Sequence, residues 1–173
     1  MKKCLIIVDY QNDFVDGALG FKGAEDLEPI IISKINEALA NKNDILFTLD
    51  THYDNYLETQ EGKRLPIMHC IFGSKGHEVY GKVNSYLKDA KKVFKKLTFG
   101  SLELGNYLEV NKYDEIELCG LVTNMCVVSN AIIAKAANPE ARIVVDSKAV
   151  KSFSEELHDK TLDVLNGIQV DVL

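Results

Sequence analysis

The chain has 173 residues, which suits one domain spanning residues 1–173; at this size roughly two-thirds of the unfolded surface is buried without a disulfide or metal staple. With 46% apolar and 27% charged residues the composition is that of an ordinary globular protein, so disorder is not indicated. A net charge of −6 repels phosphate backbones, which argues against nucleic acid as a partner, and no apolar run is long enough for a membrane span or a secretory signal.

Along the chain, short apolar strands alternate with helical patterns. Residues 4–8 form a buried strand ending at Asp9. Residues 27–39 have helical spacing, with Asp26 as the expected N-cap and Pro29 tolerated in the first turn. The next strand, 44–49, closes at Asp50, and residues 76–87 are expected to be mostly helical. Residues 92–96 are short and extended, and 101–108 suit a helix. A strand over 115–121 leads into a helix over 124–137, stopped by Pro139. Residues 142–145 form a strand ending at Asp146, 154–165 a helix capped by Ser154, and 168–172 the last strand.

Such alternation predicts an α/β fold with a parallel sheet covered on both faces. Ligands of such sheets sit beyond the carboxyl ends of the strands. Asp9, Asp50, Lys96 and the segment 122–126 each follow or close a strand, so the chemically capable side chains gather at one end.

The four cysteines Cys4, Cys70, Cys119 and Cys126 form no C-x-x-C pair, which fits a reducing compartment and a cytoplasmic location. Cys4 and Cys119 lie in apolar strands as core thiols. Cys126 differs. It falls near a helix N-terminus, where free amides and the helix dipole favour a thiolate and could hold an oxyanion. The plainer alternative is a small hydrophobe packing helix on sheet, and composition alone favours it. Asp9 and Lys96 shift the balance. A carboxylate ending an apolar strand needs a partner; beside a thiol it can take the proton and return it to a leaving amine. Lys96 can hold both anions by charge. Alone, Asp9 also suits a cap or turn, and Lys96 a solvated surface.

Three motifs occur in order: Val8-Asp9-Tyr10-Gln11-Asn12-Asp13-Phe14, Lys96-Leu97-Thr98-Phe99-Gly100-Ser101 and Gly120-Leu121-Val122-Thr123-Asn124-Met125-Cys126-Val127. Together they resemble the isochorismatase-like cysteine hydrolases, nicotinamidases in particular. The resemblance implies a three-layer α/β/α sandwich with a six-stranded parallel sheet and a catalytic triad of Asp9, Lys96 and Cys126. It also implies a cis peptide at Leu121–Val122 and an oxyanion hole formed by the amides of Val122 and Cys126. By analogy with the family, a homo-oligomer is expected.

In extended chain Asp50 and His52 point to one side, and His69 follows in the next loop. One carboxylate and two imidazoles suit zinc, iron or manganese, although an Asp-x-His pair alone is a weak signal. Metal-bearing nicotinamidases carry the same pattern, so the resemblance implies a divalent metal, most readily zinc, on Asp50, His52 and His69, which would hold a pyridine nitrogen and water. Glu61 is a candidate fourth ligand; His77 matches no motif and is read as surface. Residues 65–68 contain no aromatic ahead of His69, where nicotinamidases usually place one to stack on the pyridine ring, so Phe14 is left as the expected pocket wall. The expected substrate is a small-molecule amide, nicotinamide first, cleaved to acid and ammonia through a thioester. The alternatives are a metal-free hydrolase of a carbamoyl or ureido substrate on the same fold, and a catalytically silent binding module.

Overall fold

The structure is a computed structural model that describes residues 1–173. Six strands build the sheet: β1 (Lys3–Val8), β2 (Asp44–Asp50), β3 (Lys92–Lys96), β4 (Glu115–Leu121), β5 (Arg142–Lys151) and β6 (Asp171–Val172). All pair in parallel, in the order β3-β2-β1-β4-β5-β6. The order in which strands are added therefore reverses at β1, and a crevice opens beyond the carboxyl ends of β1 and β4.

Alternation along β1 divides the core. Cys4, Ile6 and Val8 join one buried cluster, while Leu5 and Ile7 join the other. Helix α1 (Asn12–Val15) is a single turn after β1, and α2 (Leu27–Ala40) buries Leu27, Ile31 and Ile35 on the Leu5 side. Helices α3 (Leu102–Val110), α4 (Val128–Ala137) and α5 (Glu155–Gly167) bury Leu104, Leu108, Ala131, Ala134 and Leu165 on the opposite side. This is the expected three-layer α/β/α sandwich. No helix is long and apolar enough to cross a membrane.

Ser101 and Ser154 cap α3 and α5, accepting hydrogen bonds from the amides of Leu104 and Leu157. Asp26 does not cap α2. Its backbone is already helical and its side chain accepts no capping bond, because turns over residues 23–28 lead into the helix. The helix expected over 76–87 is instead two 3₁₀ pieces, Lys75–His77 and Gly81–Asp89. Between them Val79 pairs with Gln11 in an isolated antiparallel bridge, an override that local periodicity does not contain. The helix expected from residue 124 begins as a π-turn over Thr123–Val127 and becomes α-helical at Val128. Strand β5 runs past Asp146 to Lys151, because an irregularity opposite Leu118 and Gly120 lets its second half re-pair with β4. At the far edge β6 is only two residues long.

Candidate active site

Asp9 leaves β1 in a left-handed conformation, φ 44°, which Asp tolerates better than most residues. It is fully buried; Thr48 Oγ1 donates to its Oδ1 at 2.7 Å. Lys96 closes β3 and reaches back across β2, placing Nζ 2.6 Å from Asp9 Oδ2 and 3.4 Å from Cys126 Sγ. That ion pair is the contact Oδ2 makes, and Lys96 bridges the carboxyl and the Cys126 sulfur, so the charges of the three groups act on one another. The three side chains expected to act together are thus adjacent in space. Cys126 is buried, with 6% of its surface exposed, and its neighbour Met125 lines the adjoining pocket.

Electrostatics refine the expectation for the thiol. Burial and then the Asp9 charge push the Cys126 thiol well above its ordinary value, with Lys96 pulling the other way. A standing thiolate, expected from the helix N-terminus alone, is therefore disfavoured, because burial removes the solvation that would stabilise its charge. Burial likewise pushes the Asp9 carboxyl up against the opposing charge of Lys96, which readies it to accept a proton. For Lys96 burial works to lower the pKa, but Asp9, Cys126 and Asp50 outweigh it and keep the ammonium charged.

The Leu121–Val122 peptide is cis. The Val122 N–H meets no protein acceptor, while its carbonyl accepts from the amides of Met125 and Val127. Gly120, at φ 115°, passes so close to β1 that a Cβ would collide with the Val8 carbonyl. The chain thus reaches the turn that carries Cys126 only through glycine.

Beside this group, Asp50, His52, Glu61 and His69 bring one ligand atom each within 4.8 Å of one another. Asp50 Oδ2 lies 3.0 Å from His52 Nε2 and 3.4 Å from His69 Nε2; Glu61 Oε1 lies 3.6 and 3.7 Å from the same nitrogens. Tetrahedral zinc, with bonds of ~2.0–2.2 Å, sets its ligand atoms roughly 3.4 Å apart, so the donor set fits such an ion. His69 Nδ1 bonds the Ile67 carbonyl at 2.8 Å, which leaves Nε2 free to ligate. Burial works to raise the Asp50 carboxyl, but His52, His69 and Lys96 outweigh it and hold Asp50 well below the usual carboxylate range.

Several partners carried no sequence signal. Gln11, fully buried, uses its carboxamide as a substitute strand: Asp50 N–H donates to Oε1 at 2.8 Å, and Nε2 donates to the carbonyls of Asp50 and His77 at 2.9 Å each. His77 is not at the surface. It is buried with Nε2 2.9 Å from Thr51 Oγ1, because the Val79 bridge draws its segment inward. Phe14 is buried with its ring centroid 5.7 Å from His69. A pocket of about 730 Å³ beside the metal-ligand group is walled by Tyr53, Leu97, Phe99 and Met125 and includes His52 and Glu61; Phe14, expected as its wall, does not line it. An aromatic wall thus comes from Tyr53, early in the loop after β2, and Phe99, after β3, rather than from residues 65–68.

Comparison with known proteins agrees with this geometry. The Isochorismatase domain family matches residues 3–173, and the chain belongs to that family. It is 28% identical to the nicotinamidase/pyrazinamidase of Mycobacterium tuberculosis (strain ATCC 25618 / H37Rv), covering 85% of this chain and 86% of that protein. The crystal structure of nicotinamidase PncA from Bacillus subtilis superposes with a TM-score of 0.88 at 32% identity, covering 99% of each chain. The pyrazinamidase of Pyrococcus horikoshii in complex with zinc shares the fold, with a TM-score of 0.84 at 22% identity over 100% of this chain and 99% of that one.

Proposed function

We propose that the protein is a cysteine-dependent amidohydrolase that converts nicotinamide to nicotinate and ammonia. One observation carries the reading: a buried ammonium, Lys96 Nζ, sits 2.6 Å from a carboxylate oxygen and 3.4 Å from the sulfur of Cys126. The arrangement supports acyl transfer. Asp9 takes the proton from Cys126, and the sulfur attacks the amide carbonyl carbon. The developing oxyanion is held by the amides of Val122 and Cys126. As the intermediate collapses the C–N bond breaks, and Asp9 returns its proton to the departing ammonia. Water then attacks the thioester, losing a proton to Asp9, and the thiol leaves as acid is released. Throughout, Lys96 keeps Asp9 and the sulfur in place.

Asp50, His52, His69 and Glu61 would hold a divalent ion, for which the donor set favours zinc over softer or larger ions. When bound, it supplies Lewis acidity suited to orienting a ring nitrogen. The nicotinamidase names of the relatives and the aromatic residues Tyr53 and Phe99 at the pocket favour nicotinamide among small amides. The test is ammonia release from nicotinamide by the purified protein, with nicotinate identified chromatographically. Absence of turnover by metal-loaded protein, alongside turnover of a carbamoyl or ureido compound, would assign the site to that other substrate class.

A further inference from the structure

Asn130 stands out because it is polar, wholly buried and lies in the first turn of α4, just ahead of the apolar run 131–134. A buried carboxamide without partners is costly. Here both N–H donors and the carbonyl oxygen find partners. Nδ2 donates to the Cys126 carbonyl at 2.8 Å and to the Phe99 carbonyl at 3.0 Å, and Oδ1 accepts from Ser101 N–H at 3.0 Å. Two chain segments remote in sequence therefore converge on one side chain.

What those segments carry gives the contacts their meaning. Cys126 lies at the junction where the π-turn gives way to the α-helix, a place where backbone carbonyls fall out of the regular ladder. The segment 97–101 follows Lys96, receives a hydrogen bond from its ammonium at the Thr98 carbonyl (3.0 Å) and presents Leu97 and Phe99 to the pocket. It rests on α4 so closely that a Cβ at Gly100 would press on Ile133. Ser101 is also the cap of α3, so the same carboxamide fixes where that helix begins.

We propose that Asn130 is a positioning residue that clamps the backbone of Cys126 to the 97–101 loop, so that the sulfur and the pocket wall keep a fixed separation. The proposal rests on Cys126 as the nucleophile. It touches neither substrate nor the reacting atoms; it acts through Cys126 and Phe99. A purely structural asparagine would affect stability alone. A clamp sets the sulfur's approach to the carbonyl and the pocket's fit, and so bears on kcat and KM separately.

Two substitutions separate these outcomes. Asn130→Asp keeps the shape but sets a carboxylate against the carbonyls of Phe99 and Cys126. Asn130→Ser is short, reaching the carbonyl four residues back in its own helix but not the 97–101 loop. The measurements are nicotinamide kinetics, thermal melting and the rate at which iodoacetamide labels Cys126, which reads sulfur placement whatever the natural substrate is. For Asn130→Asp, kcat per folded molecule should fall by about 10²-fold and labelling should slow in parallel, as misplacement by ~1 Å would require. For Asn130→Ser, KM should rise by about tenfold while kcat and labelling stay within about threefold, since only the wall is released. If Asn130→Asp does not fold, the KM-selective effect of Asn130→Ser decides alone. Wild-type kinetics and labelling in folded variants, or losses that vanish on normalising to folded protein, would overturn the clamp. A wild-type protein inert toward nicotinamide would instead count against the substrate, with the labelling rates still testing the clamp.

Discussion

Asp50 and Lys96 are register partners on β2 and β3, and their side chains meet with Oδ1 and Nζ 3.3 Å apart. The other carboxylate oxygen of Asp50 faces His52 and His69. One carboxylate thus joins the proposed metal group to the proposed triad. Asp50→Ala should therefore lower metal stoichiometry and kcat together, whereas His52→Ala should lower metal content while leaving the Asp9–Lys96 pair. Elemental analysis beside single-turnover kinetics reads both; equal effects on turnover in metal-depleted protein would refute the link.

The triad should fail as a unit. Cys126→Ala should abolish turnover, and Lys96→Met or Asp9→Asn should come close to it. The Cys126→Ala/Lys96→Met double variant should be no worse than either parent, since groups that act jointly are not additive. Asn at position 9 accommodates the left-handed backbone at φ 44°, so Asp9→Asn should fold normally and test chemistry alone. Multiplying losses in the double variant would show that the residues act independently.

Gln11→Leu preserves bulk but removes the hydrogen bonds that hold the Asp50 backbone. Loss of an outer support of this kind weakens metal binding by about 10–100-fold. Metal titration by calorimetry should show that drop with no change in the number of sites. Unaltered affinity in a folded variant would mean that Asp50 is held by its strand alone.

Gly120→Ala should be severe, because the new Cβ meets the Val8 carbonyl at a φ of 115° that L side chains avoid. Backbone collision in the central strands should cost about 3 kcal/mol or more, lowering Tm by roughly 6–12 °C. A melting curve within the error of wild type would show that β4 can shift away from β1.

Asp44 accepts hydrogen bonds from Lys91 Nζ at 2.6 Å and Tyr113 Oη at 2.7 Å. Burial works to raise its pKa, but Lys91 and Tyr113 outweigh it, and the carboxyl is lowered. A folded pKa below the unfolded one gives stability that is present above the unfolded value of about 3.9 and is lost as pH falls through the folded value. Urea denaturation from neutral to acid pH should therefore show wild type more stable than Asp44→Asn near neutrality, with the gap closing below about pH 4. A gap independent of pH would trace the difference to packing.

Strand and helix alternation, the two-sided core and the three motif positions were legible in the sequence, because each is local: apolar runs of strand length, a capping serine at 154, and polar residues where strands stop. Asp9, Lys96 and Cys126 could be named from such local chemistry together with a family resemblance. Residues 76–87 misled, since an isolated bridge from Val79 to Gln11 outweighed their helical spacing. Gln11, His77, Phe99 and Asn130 could not have been assigned roles beforehand. Their partners lie 29 to 66 residues away for the bonds Asn130–Ser101 and Gln11–His77. Which carbonyl a buried amide meets depends on strand register and on how closely α4 approaches the 97–101 loop, and those are set by the packed sheet as a whole rather than by any segment of the chain.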